Sequence, residues 1–167
     1  MDYTLIRSDR KSFALQVRGG EVIVRAPRFA SKRQADRFVA ANEEWIRKQL
    51  AKPVRPIDTE PTEEERRALQ KRARELIPAR VAHYGELMGL TPAGISITSA
   101  RTRFGSCSSK GRLSFSWRLM LYPDDAIDYV VVHELAHLRH MDHSPAFYAL
   151  VERYLPDWKR RRRLLKG

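Results

Sequence analysis

Residues 128–138 read Asp128-Tyr129-Val130-Val131-Val132-His133-Glu134-Leu135-Ala136-His137-Leu138. Pro123, Asp124 and Asp125 stand just upstream, proline first and acid in the first turn, the order that opens a helix. On such a helix His133 and His137, four apart, lie one above the other on a single face, so both imidazoles can converge on one metal ion. Ile127, Val131, Leu135 and Leu138 gather on another side, at about 100° of rotation per residue. Glu134 falls beside the histidine pair rather than beneath it, where a carboxylate can act as base toward a water on the metal. Val130, Val131 and Val132 mark the helix as largely buried, and burying two histidines and a glutamate there without a shared partner would be costly. A lone helical histidine is ordinarily a core or surface residue. Here four of the chain's 5 histidines fall within 133–143.

A catalytic zinc site takes three protein ligands and keeps one position open. His140 and His143 compete for the third place. His140 stays in phase with the helix but lies a full turn beyond His137, too far along the axis to close a tetrahedron. His143 follows Met141-Asp142 and precedes Ser144-Pro145, where the helix must stop, so the chain can turn it back toward the pair. The reading favours His143 and leaves His140 either beside the ligands or in solvent. The spacing H-E-x-x-H-x-x-x-x-x-H is shared with metzincins, yet His140 occupies the position of their turning glycine and no methionine follows His143.

Upstream, the apolar pattern alternates. Ile95–Thr98 and Leu113–Trp117 read as strands paired around the turn Ser108-Ser109-Lys110-Gly111, with Leu113–Trp117 expected as an edge where a polypeptide could add a strand. Leu5–Arg7, Phe13–Val17 and Val22–Ala26 read as three more strands, the last two joined at Gly19-Gly20. Ser31 and Gln34 form a capping box for one helix to about Lys52, with Ala35, Phe38, Val39, Trp45, Ile46 and Leu50 on its apolar face. Pro53, Pro56 and Pro61 mark a linker. Thr62 and Glu65 open another helix that buries Leu69, Ala73, Leu76, Val81, Tyr84 and Leu87 and stops near Gly89; Pro78 should kink or split it. Ser144-Pro145 starts a further helix carrying Phe147, Leu150, Val151 and Tyr154. The expected class is α+β, with a strand and helix module over 1–60 and a metal-binding catalytic domain over 61–167, its histidine-bearing helix packed on a small antiparallel sheet and the whole packed as one compact unit.

The 167 residues are 43% hydrophobic and 31% charged. The longest apolar run, Ala146–Val151, is six residues, far short of the roughly 20 needed to span a membrane. The N-terminus carries no signal-peptide stretch, and a single cysteine, Cys107, allows no internal disulfide, so the expected address is cytoplasmic. Cys107 reads as a packing residue; neighbouring Arg101 and Arg103 leave a reactive thiol as the alternative. The net charge of +12 makes nucleic acid a partner to consider. For Lys159–Arg163 a solvated face that offsets a helix end is the favoured reading.

Arg101-Thr102-Arg103-Phe104-Gly105-Ser106-Cys107-Ser108, Gly111, Trp117-Arg118-Leu119, Pro123, Asp128–Leu138 and His143-Ser144-Pro145-Ala146-Phe147 together resemble the YgjP-like metallopeptidases, relatives of the SprT-like and WLM zincins. The strong match covers about 95–158, and the strands and helix of the N-terminal part also fit the family's layout. Phe104, Ser116 and Tyr148 stand where that family commonly has Trp, Asn and Trp. The resemblance implies a zincin-like fold, zinc on His133, His137 and His143, and Glu134 as catalytic base. The expected activity is zinc-dependent hydrolysis of a polypeptide, with Arg101, Arg103, His140 and Tyr148 as candidates to stabilise the oxyanion, and Arg101, Arg103 and Tyr148 as candidates to bind substrate. Two alternatives stand beside it. Arg101, Arg103, Arg112 and Arg118 could line a cleft for a phosphate-bearing substrate such as a nucleotide. A zinc-stabilised module that binds nucleic acid through its basic segments is the other.

Overall fold

A computed structural model describes residues 1–166. They separate into two compact units, Met1–Glu60 and a second beginning at Pro61.

In the first unit, β1 (Thr4–Ser8), β2 (Ala14–Arg18) and β3 (Glu21–Pro27) form a sheet in the order β1-β3-β2, with β1 parallel and β2 antiparallel to β3. The β2–β3 hairpin turns at Gly19 and Gly20, whose φ angles of 58° and 81° suit glycine. Val22, Val24 and Ala26 alternate inward along β3, and Val22 and Val24 make a small core with Ala35, Val39 and Ile46. The single helix expected to Lys52 is two helices, α1 (Lys32–Ala41) and α2 (Glu43–Leu50). The Ser31–Gln34 capping box is present. The break falls at Asn42, whose side-chain amide donates to the Phe38 carbonyl at 2.8 Å and turns the backbone out of helical geometry. The change of direction leaves Trp45 and Leu50 exposed, off the buried face on which one continuous helix would have put them.

The second unit starts with α3 (Glu63–Met88), capped by Thr62, whose hydroxyl accepts from Glu65 N–H, and closed by Gly89 at φ 68°. The helix runs through Pro78 without splitting. Ala73, Ile77, Val81, Tyr84 and Met88 form its buried stripe on both sides of the proline, and burying that stripe outweighs the hydrogen bond Pro78 cannot make. Leu87 lies off the stripe and is exposed, contrary to the sequence expectation. A mixed sheet follows in the order β4-β6-β5, from β4 (Gly94–Thr98), β5 (Gly105–Cys107) and β6 (Arg112–Ser116). The turn at Ser108–Gly111 therefore joins β5 to β6, not β4 to β6; β4 pairs with β6 in parallel. A tight turn makes only the strand just before it an antiparallel neighbour, and that strand is Gly105–Cys107. Two expectations change: the sheet is not purely antiparallel, and Leu113–Ser116 is its central strand rather than an edge. Trp117 has already left the strand and opens a short 3-10 segment to Leu121.

Three helices complete the unit: α4 (Asp124–Ala136), α5 (Pro145–Tyr154) and α6 (Trp158–Arg163). Ile127, Val131, Val132 and Leu135 of α4 are fully enclosed with Phe115, Trp117, Leu119, Phe147 and Val151. Buried Asp128 ties α4 to α3, accepting from Arg80 at 3.0 and 3.1 Å and from the Tyr84 hydroxyl at 3.0 Å. No helix among the described residues is long and apolar enough to cross a membrane. The architecture is α+β, as the alternation of patterns implies.

Candidate metal centre

The helical spacing along α4 sets the rings of His133 and His137 with centroids 4.9 Å apart. Regular α-helix ends at Ala136, and His137 is the capping residue in helical conformation. The backbone then tightens: Leu138 N–H donates to Leu135, and Arg139 and His140 N–H both donate to Ala136. That closure turns the chain, and His143 comes back until its Nε2 lies 3.2 Å from Nε2 of His133. One nitrogen from each of the three rings lies within 4.8 Å of the other two. Ser144 then caps α5, accepting from Phe147 N–H, and Pro145 opens its first turn. The fully enclosed Phe147 lies against all three rings, stacked on His137 at 4.4 Å.

Two of the three imidazoles have the second nitrogen engaged. Nδ1 of His137 lies 2.9 Å from the His140 carbonyl oxygen, and Nδ1 of His133 lies 3.3 Å from the Tyr129 hydroxyl. With Nδ1–H donating, Nε2 is left as the lone-pair nitrogen of each ring. Burial, then the neighbouring imidazoles of His137 and His143, holds His133 down at about pKa 3, and burial also lowers His137. Neutral imidazole is the form that binds metal. At 3.2 Å the Nε2 atoms of His133 and His143 must share either a proton or a cation. A tetrahedral zinc with Zn–N bonds of about 2.0–2.1 Å places its ligand nitrogens roughly 3.3 Å apart. The residues present fit such an ion. His140 contributes its backbone carbonyl, and its ring is not part of the cluster.

Glu134 is 4% exposed, and burial pushes its carboxyl up to about pKa 7, against the opposing charge of Arg103. Its side chain lies against Gly105 of β5, where a β-carbon would stand 2.9 Å from Glu134 Cγ and 3.2 Å from Oε2. The strand beside the carboxylate is thus β5, at an edge of the sheet. Cys107, two residues on, is a half-buried packing residue, and its thiol is pushed up by burial and by Glu134.

Of the proposed substrate-binding residues, Arg103 is exposed close enough to act on Glu134, and Arg101 is half-buried in the loop between β4 and β5. Tyr148 is half-buried with its ring 6.2 Å from that of His143. The four-arginine cleft does not assemble. Arg112 turns to the Ser96 hydroxyl at 2.9 Å, and Arg118 is buried with its guanidinium 4.3 Å from the centre of the Trp117 ring. Two cations of the basic run are also committed, Arg160 and Arg161 being bonded to Asp125 and Asp157. Ser116 spends its hydroxyl locally, donating to the Ala100 carbonyl at 2.7 Å and accepting from Arg118 N–H. Tyr129, Gly105 and Phe147 line the centre and were not singled out from the sequence. Tyr129, one turn before His133, had a readable helical signal; Gly105 and Phe147 reach the centre only through tertiary packing.

No curated protein matches the chain. Among solved structures, the metallopeptidase zymogen of Pyrococcus abyssi abylysin is similar over 52% of this chain and 88% of that one, at 21% identity and a TM-score of 0.47. The family profile described as YgjP-like, metallopeptidase domain, matches residues 11–68 and 60–167. This coverage takes in nearly the whole sequence, the three histidines and Glu134 included: the chain belongs to the YgjP-like metallopeptidase family.

Proposed function

We propose that this protein is a zinc-dependent peptidase in which His133, His137 and His143 hold the metal and Glu134 is the general base. The observation that carries the reading is the convergence of three imidazole nitrogens next to a buried carboxylate. Zinc held there would supply a Lewis acid that polarises a carbonyl and acidifies water. Glu134, whose carboxyl burial holds up at about pKa 7, takes a proton from the attacking water and returns it to the amine that leaves the cleaved peptide bond. The outer edge of β5 supports a polypeptide substrate: an extended peptide paired onto Gly105–Cys107 would carry its carbonyls past Glu134. Arg103 beside Glu134, Tyr148 beside His143, and Arg101 are the side chains assigned to hold that peptide or its developing oxyanion. The chemistry belongs to residues 61–167, with 1–60 a separate module.

The test has two parts. Elemental analysis of untagged protein should give about one zinc per chain. Digestion of a complex peptide mixture, read by mass spectrometry, should give new termini that fall at least about 100-fold in Glu134→Gln while zinc is retained. Undiminished cleavage in that variant would sink the mechanism. Turnover of nucleoside triphosphates without peptide cleavage would move the site to phosphate chemistry.

A further inference from the structure

The three candidate ligands are not held alike. His133 and His137 sit on or at the end of α4 with Nδ1 engaged by Tyr129 and by the His140 carbonyl. His143 is exposed, lies outside any helix, and among the described residues has no hydrogen bond except that to His133. Ring neighbours must orient it. Tyr148 lies nearly parallel to it, at 6.2 Å and 29°, and Tyr148 stacks in turn on Trp158 at 4.8 Å and 22°. Trp158 is 7% exposed, with the Arg162 guanidinium 4.9 Å from the centre of its ring. Trp158 opens α6, and α6 is pinned to α4 by Arg161, whose guanidinium reaches the Asp125 carbonyl at 3.2 Å, and by Arg160, which reaches the Asp125 carboxylate at 3.0 Å.

A column of four planar groups, His143, Tyr148, Trp158 and Arg162, thus connects the third histidine to the basic C-terminal helix. We propose that Tyr148 and Trp158, braced by α6, are positioning residues for His143, so that the Lys159–Arg163 run serves the metal site rather than a polyanion. The inference rests on the metal reading above. Offset aromatic stacking restricts ring orientation at these separations, and groups that orient a ligand commonly set metal affinity by about 10-fold or more.

The experiment compares zinc affinity, by competition with a chelator, and the visible absorption of the cobalt-substituted protein. Tyr148→Leu keeps bulk and removes the stack; it should bind zinc about 10-fold more weakly and show an altered cobalt spectrum. Trp158→Leu should do the same, and Tyr148→Phe should restore both readouts. Wild-type affinity and spectrum in Tyr148→Leu would overturn the inference. So would an equal loss of affinity in Val81→Ala, a core cut remote from the column, because the effect would then follow global stability. If the wild-type chain takes up no zinc, the metal reading itself fails, and that result is distinct from wild-type zinc binding in the Leu variants.

Discussion

Gly105 makes room for Glu134: a β-carbon on the strand residue would stand 2.9 Å from the carboxylate's Cγ, closer than such atoms approach. Val130 Cγ1, 3.2 Å from the same point, closes a second direction of escape. Gly105→Ala should therefore displace Glu134 without touching the histidines. The expected result is a fall in kcat on the order of 100-fold with zinc content unchanged, measured by peptide turnover and elemental analysis of one preparation. Full activity in this variant would show that the carboxylate has slack.

Tyr129 meets Nδ1 of His133 with its hydroxyl, and burial pushes its own pKa up to about 12, so it remains a neutral phenol. Tyr129→Phe keeps the ring in the core and removes only that partner. Zinc affinity should fall by about 10-fold with little change in thermal stability of the metal-free protein. Chelator competition and a melting curve separate the two effects.

Asp128 gathers Arg80 and Tyr84 of α3, with Arg161 of α6 at 3.9 Å. Asp128→Ala strips a buried carboxylate from these groups and should cost about 3 kcal/mol of stability, read from denaturant unfolding. A loss under about 0.5 kcal/mol, the range of ordinary surface changes, would mean that the helices are held by apolar packing alone.

Cys107 carries the pH prediction. Burial first, and the Glu134 carboxylate second, raise its pKa above that of an ordinary thiol. A raised thiol pKa means a smaller thiolate fraction at any given pH below it, so alkylation by iodoacetamide at pH 8 should be slower than for a free thiol. The rate should rise as pH climbs and recover fully on unfolding. Glu134→Gln removes the neighbouring charge, lowers the Cys107 pKa and should speed the reaction.

Local features of the sequence carried much of this arrangement. Pro123 and the two aspartates after it open α4, Ser144-Pro145 opens α5, and the Ser31 box opens α1, because caps act within one turn. The break at Asn42 was less legible, since the helical spacing of the apolar residues continues across it. The pairing of β4 with β6 was legible, but its parallel direction and the place of β5 on the far side of β6 were not. Alternation tells which face of a strand is buried, but it does not say which neighbour lies at either edge.

The fate of the arginines shows the same division. Arg112 and Arg118 stand close in sequence to Arg101 and Arg103, yet one turns to Ser96 and the other is buried on Trp117. Arg160 and Arg161 meet Asp125, 35 and 36 residues away in the chain. A charge run does not disclose its partners, because they arrive from other elements.

By itself the sequence determined that His133 and His137 share a face of one helix and that the helix must stop before Ser144, since both follow from the 3.6-residue period and from capping. Only the tertiary structure decided which strand lies against Glu134, which ring lies beneath the histidines and what steadies His143. Those contacts join β5, α4, α5 and α6, segments far apart in the chain, and they exist only where burial of a shared core brings the segments together.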